Sequence, residues 1–192
     1  MTVGDALADG RPGVAAEAIV PSTWGRGTDV LPSEPAVEHR VAEATPGSEQ
    51  RLRTVLAGIG HRYELVVMDC PPSLGEMTRE ALASSDLALV VTTPSYFGAQ
   101  GGERAMAEID EVRKNHNRDL QLAGIVVNRV RSVAEEHQYR EHELVEIYGR
   151  SSVMKPLVPE RIAVQQAEGY GQPVQLVKTA GGREVADIYE TY

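Results

Sequence analysis

A chain of 192 residues is long enough for one domain with a substantial core and short for two ordinary ones. Its 42% hydrophobic and 24% charged residues are those of a soluble globular protein. With no run near the roughly 18 apolar residues of a membrane span and no charged-then-apolar leader, it reads as cytoplasmic. The formal net charge of −9 argues against a surface that binds nucleic acid throughout, because phosphate attraction needs positive charge, and leaves only a local patch open.

Residues 1 to 47 are dense in turn formers: Gly10-Arg11-Pro12-Gly13, Pro21-Ser22, Gly25-Arg26-Gly27, Pro32-Ser33, Pro35 and Pro46-Gly47. Between these breaks Ala18-Ile19-Val20 and Asp29-Val30-Leu31 read as short strands, and Val3 to Leu7 as one or two helical turns. A disordered tail is the competing reading. From Ser48, a cap, the pattern becomes regular, with Leu52, Val55, Leu56 and Ile59 on one helical face.

Leu65 to Met68 is a continuous apolar run that suits a strand buried on both faces of a parallel sheet. Asp69 ends it, and Pro71 and Pro72 cannot continue a hydrogen-bond ladder. A helix is expected over 78–84 with Met77, Ala81 and Leu82 inward. A second buried strand over 87–91 follows, closed by Thr92-Thr93-Pro94. Next come a helix over 101–115 with Met106, Ile109 and Val112 on one side and a third strand over 122–127 ending at Asn128. A helix over 134–148 then stops at Gly149. Val153-Met154 and Leu157-Val158 suggest a fourth strand that ends at Pro159 and is interrupted by Pro156; helices over 162–168 and 182–192 complete the chain. Strands alternating with helices imply right-handed crossovers and an α/β fold with a doubly wound, mostly parallel sheet. The expected organisation is one domain over 1–192, with an irregular segment over 1–47 and a regular core over 48–192.

Asp69, Thr92-Thr93-Pro94 and Asn128 each end a predicted strand at one sheet edge, where open α/β sheets bind ligands. A carboxylate there can hold Mg²⁺ through water, and an amide can read the edge of adenine. On local chemistry alone Asp69 serves equally well as a helix cap, and Asn128 more often as a turn residue. His137 and His142 are five apart and share no helix face, so they make no metal pair.

The string Val67-Met68-Asp69-Cys70-Pro71-Pro72-Ser73-Leu74-Gly75 resembles the Walker B and switch II segment of the ParA/MinD family of deviant Walker ATPases, of the P-loop NTPase type. Pro21-Ser22-Thr23-Trp24, Val30-Leu31-Pro32-Ser33 and Gly181-Gly182-Arg183-Glu184-Val185-Ala186-Asp187-Ile188-Tyr189 extend the resemblance over most of the chain. It implies ATP and Mg²⁺ as cofactors, with Asp69 as the catalytic, metal-side carboxylate. Pro71, Pro72 and Ser73 would be the switch that senses the γ-phosphate, and Asn128 and Pro159 the lining of the adenine pocket. It also implies a homodimer or ParA-like partner, a ParB-like stimulator, and a role in chromosome or plasmid partition. A membrane helix of the MinD kind is not seen at the carboxyl end.

One family feature is missing from these residues. The deviant Walker A loop, K-G-G-x-G-K-[ST], is matched nowhere, and no Gly-Lys-Ser/Thr occurs at Gly25-Arg26-Gly27, Gly98 to Gly102 or Gly169 to Gly171. The expectation is a chain lacking the first βαβ unit, either a fragment or mis-started reading frame, or a re-formed core working without ATP. Without amides and a lysine to cradle the phosphates, ATP hydrolysis by these residues alone is not expected. The alternative function is a nucleotide-independent interaction or dimerisation module. Glu160 and Ala163 stand where chromosomal relatives tend to carry arginines. Non-specific DNA binding then falls to Arg129, Arg131 and Arg140, with Arg113, Lys114 and Arg118, against the plainer reading of solvated charges.

Overall fold

The computed structural model describes residues 1–25, 27–34, 37, 50–131 and 135–192, with the backbone alone at 135 and 136. The expected cap at Ser48, the turns at Arg26, Pro35 and Pro46-Gly47, and the helix start at Ala134 lie outside the described residues. The chain divides into two compact units, Met1–Leu87 with Glu108–Gln121, and Ala88–Ala107 with Leu122–Tyr192.

The first unit begins with α1 (Val3–Asp9), where sequence alone left open a disordered tail. Thr2 and Asp5 form a capping box, satisfying two amides at the helix start, and Gly10 closes the helix in the left-handed region at φ 73°. Val3, Ala6 and Leu7 are buried against Val14, Ala15, Leu52, Val55, Ile59 and Ala81. Each fully buried Val, Leu or Ile among them contributes about 1.5–3 kcal/mol. Leu52 and Val55 come from α2 (Arg51–Val55). Two short strands form near the predicted places, β1 (Val20–Pro21) antiparallel to β2 (Asp29–Val30), but Ala18 of the expected Ala18-Ile19-Val20 strand instead ends a 3-10 turn over Val14–Ala18. Tyr63 donates to Asp29 Oδ2 at 2.7 Å.

The run Leu65 to Met68 departs from expectation. It belongs to no ladder among the described residues, and Leu65 and Val67 are 74% and 79% exposed. An apolar run forms a buried strand only where a second strand pairs its amides and carbonyls, and none of the described residues does so here. Met68 alone packs on the core. After the Asp69–Gly75 loop comes α3 (Glu76–Ser84), which starts two residues before the expected 78. Its end is tied down by buried Asn117, whose Nδ2 donates to the carbonyls of Leu82 and Ser85 at 3.1 and 2.7 Å.

In the second unit β3 (Leu87–Thr92) lies beside β4 (Gln121–Val127). The amide of Asn128 donates to Thr92 and that of Gln121 to Asp86, so both strands run the same way. The parallel α/β architecture is therefore present. β3 is not buried on both faces as expected: Ala88, Val90 and Thr92 are buried, while Leu89 and Val91 face outward. The predicted fourth strand is reduced to two parallel bridges, Ile125 with Val153 and Val130 with Pro159, on either side of Pro156.

The next helix, α4 (Tyr96–Asn115), starts five residues before the expected 101, because Ser95 Oγ accepts from the Gly98 amide at 3.1 Å and caps it. α5 (Glu135–Tyr148) ends at Gly149, left-handed at φ 81°. α6 (Ile162–Gly169) and α7 (Ala180–Tyr189) pack with Val126, Val158, Val174 and Val177 through Ala163, Ala167 and Val185. Among the described residues no helix is long and apolar enough to cross a membrane.

Candidate functional site

In the first unit the predicted site residues are consecutive. Asp69 is exposed and, among the described residues, enters no ion pair; Pro71 is half-buried, and Pro72 and Ser73 are exposed. Leu74 follows in the left-handed region at φ 49°, strained for a side chain that branches beyond Cβ. Gly75, the cap of α3, instead takes an ordinary φ of −83° and offers no side-chain cap. The loop is held from its far end. Arg79, one turn into α3, reaches Glu76 at 2.6 Å and Glu108 of α4 at 2.5 Å, and its amide donates to the Gly75 carbonyl at 3.2 Å.

In the second unit the other predicted residues gather at the ends of β3 and β4. The Asn128 amide donates to the Thr92 carbonyl at 2.8 Å, and Asn128 Oδ1 accepts from the Arg129 amide at 2.8 Å. Arg129 is the second non-glycine residue at positive φ, 57°, so the chain turns sharply beyond Asn128. Two residues on, Val130 bridges Pro159, which places the proline turn beside the same strand end. An open cavity of about 470 Å³ adjoins it, with Val130, Pro156, Leu157, Pro159 and Ile188 on its apolar side and Arg131 and His137 among its polar lining. Asp69, Pro71, Pro72 and Ser73 thus belong to one unit, and Asn128 and Pro159 to the other.

The arginines expected to meet DNA are largely engaged. Arg131 pairs with Glu160, whose carboxyl is held below its usual range by that contact, and Arg131 is raised in turn. Its amide donates to Nδ1 of His137 at 2.9 Å. Arg140 lies over the rings of Tyr139 and Tyr96, 5.1 and 5.6 Å from their centroids, and pairs with Glu143 at 2.7 Å. Arg129 remains exposed.

The sequence reading missed two features. Leu74's strained backbone has no sequence signal, since a leucine before a glycine normally leaves the left-handed position to the glycine. Glu80, which faces the core from α3, is also unmarked in the pattern.

A family model described as an AAA domain matches residues 12–122, more than half of the chain. The chain belongs to this family. Among its relatives, the chromosome partitioning protein ParA of Myxococcus xanthus is 30% identical over 185 residues, covering 94% of this chain and 64% of its own length. The sporulation initiation inhibitor protein Soj of Bacillus subtilis is 27% identical over 160 residues, covering 82% and 63%. These matches place the chain in the ParA/MinD-type branch, and it spans less than two thirds of the length of these curated relatives. Solved structures share the fold. A substituted McdA of Cyanothece in complex with ATP has a TM-score of 0.82 at 15% identity, covering 98% of this chain and 76% of that one. Cobyrinic acid a,c-diamide synthase of Mycobacterium smegmatis, with an ATP analogue and magnesium, has 0.73 at 21%, covering 89% and 74%. A plasmid partition protein of Borrelia burgdorferi bound to AMPPNP has 0.74 at 16%, covering 98% and 72%.

The residues present fit one part of a magnesium nucleotide and not another. No three of His, Cys, Asp and Glu converge on a metal position among the described residues. A single exposed carboxylate such as Asp69 suits Mg²⁺, which keeps several waters and completes its shell with substrate phosphates. No glycine-lysine loop in the 192 residues supplies the cradle for those phosphates.

Proposed function

We propose that this chain is the Walker B and adenine-side part of a ParA-like partition ATPase. Asp69 would hold a water of the magnesium ion, Pro71, Pro72 and Ser73 would sense the γ-phosphate, and Asn128 with Pro159 would receive adenine. The single observation that carries the reading is the Asp69-Cys70-Pro71-Pro72-Ser73 segment running into α3, in a chain whose relatives are ParA and Soj. Residues 1–192 alone do not hydrolyse ATP on this reading, because the lysine and backbone amides that neutralise transferring phosphate are not among them. In the assembled system the protein works in the cytoplasm as a nucleotide-dependent dimer stimulated by a ParB-like protein. DNA contact, if made through this part, would draw first on Arg129, Lys114 and Arg118, which are exposed, because Arg131, Arg140 and Arg113 are already paired.

The test is a titration with a fluorescent ATP analogue and Mg²⁺, using residues 1–192, the same chain extended by a segment carrying Gly-x-Gly-Lys-Thr, and Asp69→Ala in both. The expected result is weak binding by 1–192 and magnesium-dependent binding by the extended chain that Asp69→Ala abolishes. Tight binding by 1–192 overturns the inactivity. Restored binding indifferent to Asp69→Ala overturns the role of Asp69.

A second reading, a nucleotide-independent module that docks on a full-length partner, is favoured by the exposed Leu65, Val67, Leu89 and Val91. Light scattering with and without ATP separates the two, since only the first makes assembly depend on nucleotide.

A further inference from the structure

The strongest unexplained group in the first unit is Glu80. Its side chain is 1% exposed on the inner face of α3, in a helix otherwise facing inward with Thr78, Ala81 and Ala83. Oε1 accepts from Nη2 of Arg51, on α2, at 3.1 Å. Oε2 is buried with no hydrogen-bond partner, and so is Nε of Arg51. A bidentate arginine fork would have satisfied both carboxylate oxygens; here the contact is single, and one oxygen has given up water for nothing. The charge is therefore held in the core by the single Arg51 contact and a backbone hydrogen bond from Leu52, with Oε2 left without a partner.

From this geometry we infer that Glu80 is a proton-controlled lock on α3, and through α3 on the Asp69–Gly75 segment that leads into it. With the carboxyl charged, the helix is held against α2 while carrying an incompletely solvated anion. With the carboxyl neutral, that cost disappears and α3 sits more firmly. α3 is where such a lock acts on the loop, because the loop runs straight into the helix at Gly75, which provides no side-chain cap, and the Arg79 amide of α3 donates to the Gly75 carbonyl. The inference stands whether or not the chain takes nucleotide.

Burial pushes the Glu80 carboxyl up; the Arg51 hydrogen bond and charge pull it back down, as does a backbone hydrogen bond from Leu52, and Glu76, one turn earlier, adds to the rise. Of the other charged groups on the packed elements, Arg79 pairs with Glu76 and Glu108, Asp5 sits in the cap of α1, Asp9 and Glu17 pair with Arg11, and Arg53 on α2 is exposed to solvent. For an acid whose folded pKa is raised, the stabilising contribution is complete below the unfolded value and is lost as pH rises through the folded one. α3 is thus firmest in mild acid and loosens toward neutrality.

The experiment follows the ¹³C signal of the Glu80 carboxyl in the full chain between about pH 4 and about pH 8, where glutamate and its raised forms titrate. The signal is assigned by its loss in Glu80→Gln, and amide-exchange protection factors are measured over 74–84. The expected midpoint lies above that of ordinary glutamates and moves further up in Arg51→Met. Protection in the wild type rises by up to about tenfold for each pH unit lowered through that window. In Glu80→Gln it is high and independent of pH. An ordinary midpoint, a midpoint indifferent to Arg51→Met, or a Glu80→Gln chain whose protection follows pH like the wild type overturns the lock. Should Arg51→Met fail to fold, Arg51→Gln, which removes the charge and keeps a polar side chain there, gives the same upward direction.

Discussion

The side-chain hydroxyl of Thr92 donates to the backbone carbonyl of Gly98 at 2.6 Å, closing the corner between β3 and α4. That corner has no room for a methyl group. A Cβ on Gly98 would stand 2.2 Å from the Thr93 carbonyl oxygen, whereas one on Gly101, a turn later on the exposed side of α4, would meet nothing within 4 Å. Gly98→Ala is expected to cost about 2 kcal/mol or more, and Gly101→Ala to stabilise by about 0.5–1 kcal/mol. Urea unfolding of the two variants, with unchanged m, checks the opposite signs.

The loop after Asp69 gives a second contrast. Leu74→Val forces a β-branched residue into the left-handed region and is expected to destabilise by about 1–2 kcal/mol. Leu74→Asn, which tolerates that conformation, costs less. Gly75→Ala is close to neutral, because φ there is −83° and the added Cβ meets only Ser73 Oγ at 3.8 Å. Thermal unfolding should rank the three in that order. A Gly75→Ala chain less stable than Leu74→Val would remove the argument.

Asn117 provides a buried anchor whose loss is measurable. Asn117→Ala leaves the carbonyls of Leu82 and Ser85 without their donor and is expected to cost about 2 kcal/mol. Asn117→Asp should cost more, since a carboxylate brings a negative charge against two carbonyl oxygens. Equilibrium denaturation of both variants tests the order.

Tyr148 sets an alkaline limit on the second unit. Its hydroxyl donates to the Ala99 carbonyl at 3.1 Å, and burial, with the charge of Glu103, pushes its pKa up to about 12. The folded value lies above the unfolded one, so this contribution is intact below about pH 10 and is lost as pH rises toward 12. Of the seven tyrosines, Tyr63 and Tyr192 are also raised, so Tyr148 should supply the last phase of an ultraviolet titration, and Tyr148→Phe should remove that phase while leaving the others.

The helices were legible because their apolar spacing and their caps are local. Gly149 and the Leu52 and Val55 spacing declare themselves within one or two turns of chain, although α2 stops at Val55, and Ile59, expected on the same helical face, lies beyond it. The Thr2 and Asp5 capping box is local too but was not read from the sequence. The first turn of α4 was not, because its signal is Ser95, hidden between a proline and aromatics, and the glycines after it read as a break. Leu65 to Met68 and Leu87 to Val91 looked alike as apolar runs. One pairs with none of the described residues and the other buries a single face, a difference that depends on what lies beside them and not on composition. Asp69 stands out in the sequence because motif and chemistry coincide in consecutive residues, and its role is a proposal. The Arg51–Glu80 contact spans 29 positions and puts an acid where a periodicity argument assigns water, so no local pattern reports it.

Leu65, Val66 and Val67 form a short proline-free stretch of high β-propensity that meets solvent. Opposed to its stickiness is the formal charge of −9, which keeps molecules apart while their fields extend into solution. Raising ionic strength shortens that reach to about 8 Å at physiological salt and less above it, while leaving the adhesive stretch untouched. The chain is therefore expected to stay dispersed in dilute buffer and to turn turbid in concentrated electrolyte, and Val67→Lys is expected to suppress the turbidity, as light scattering across a salt series would show.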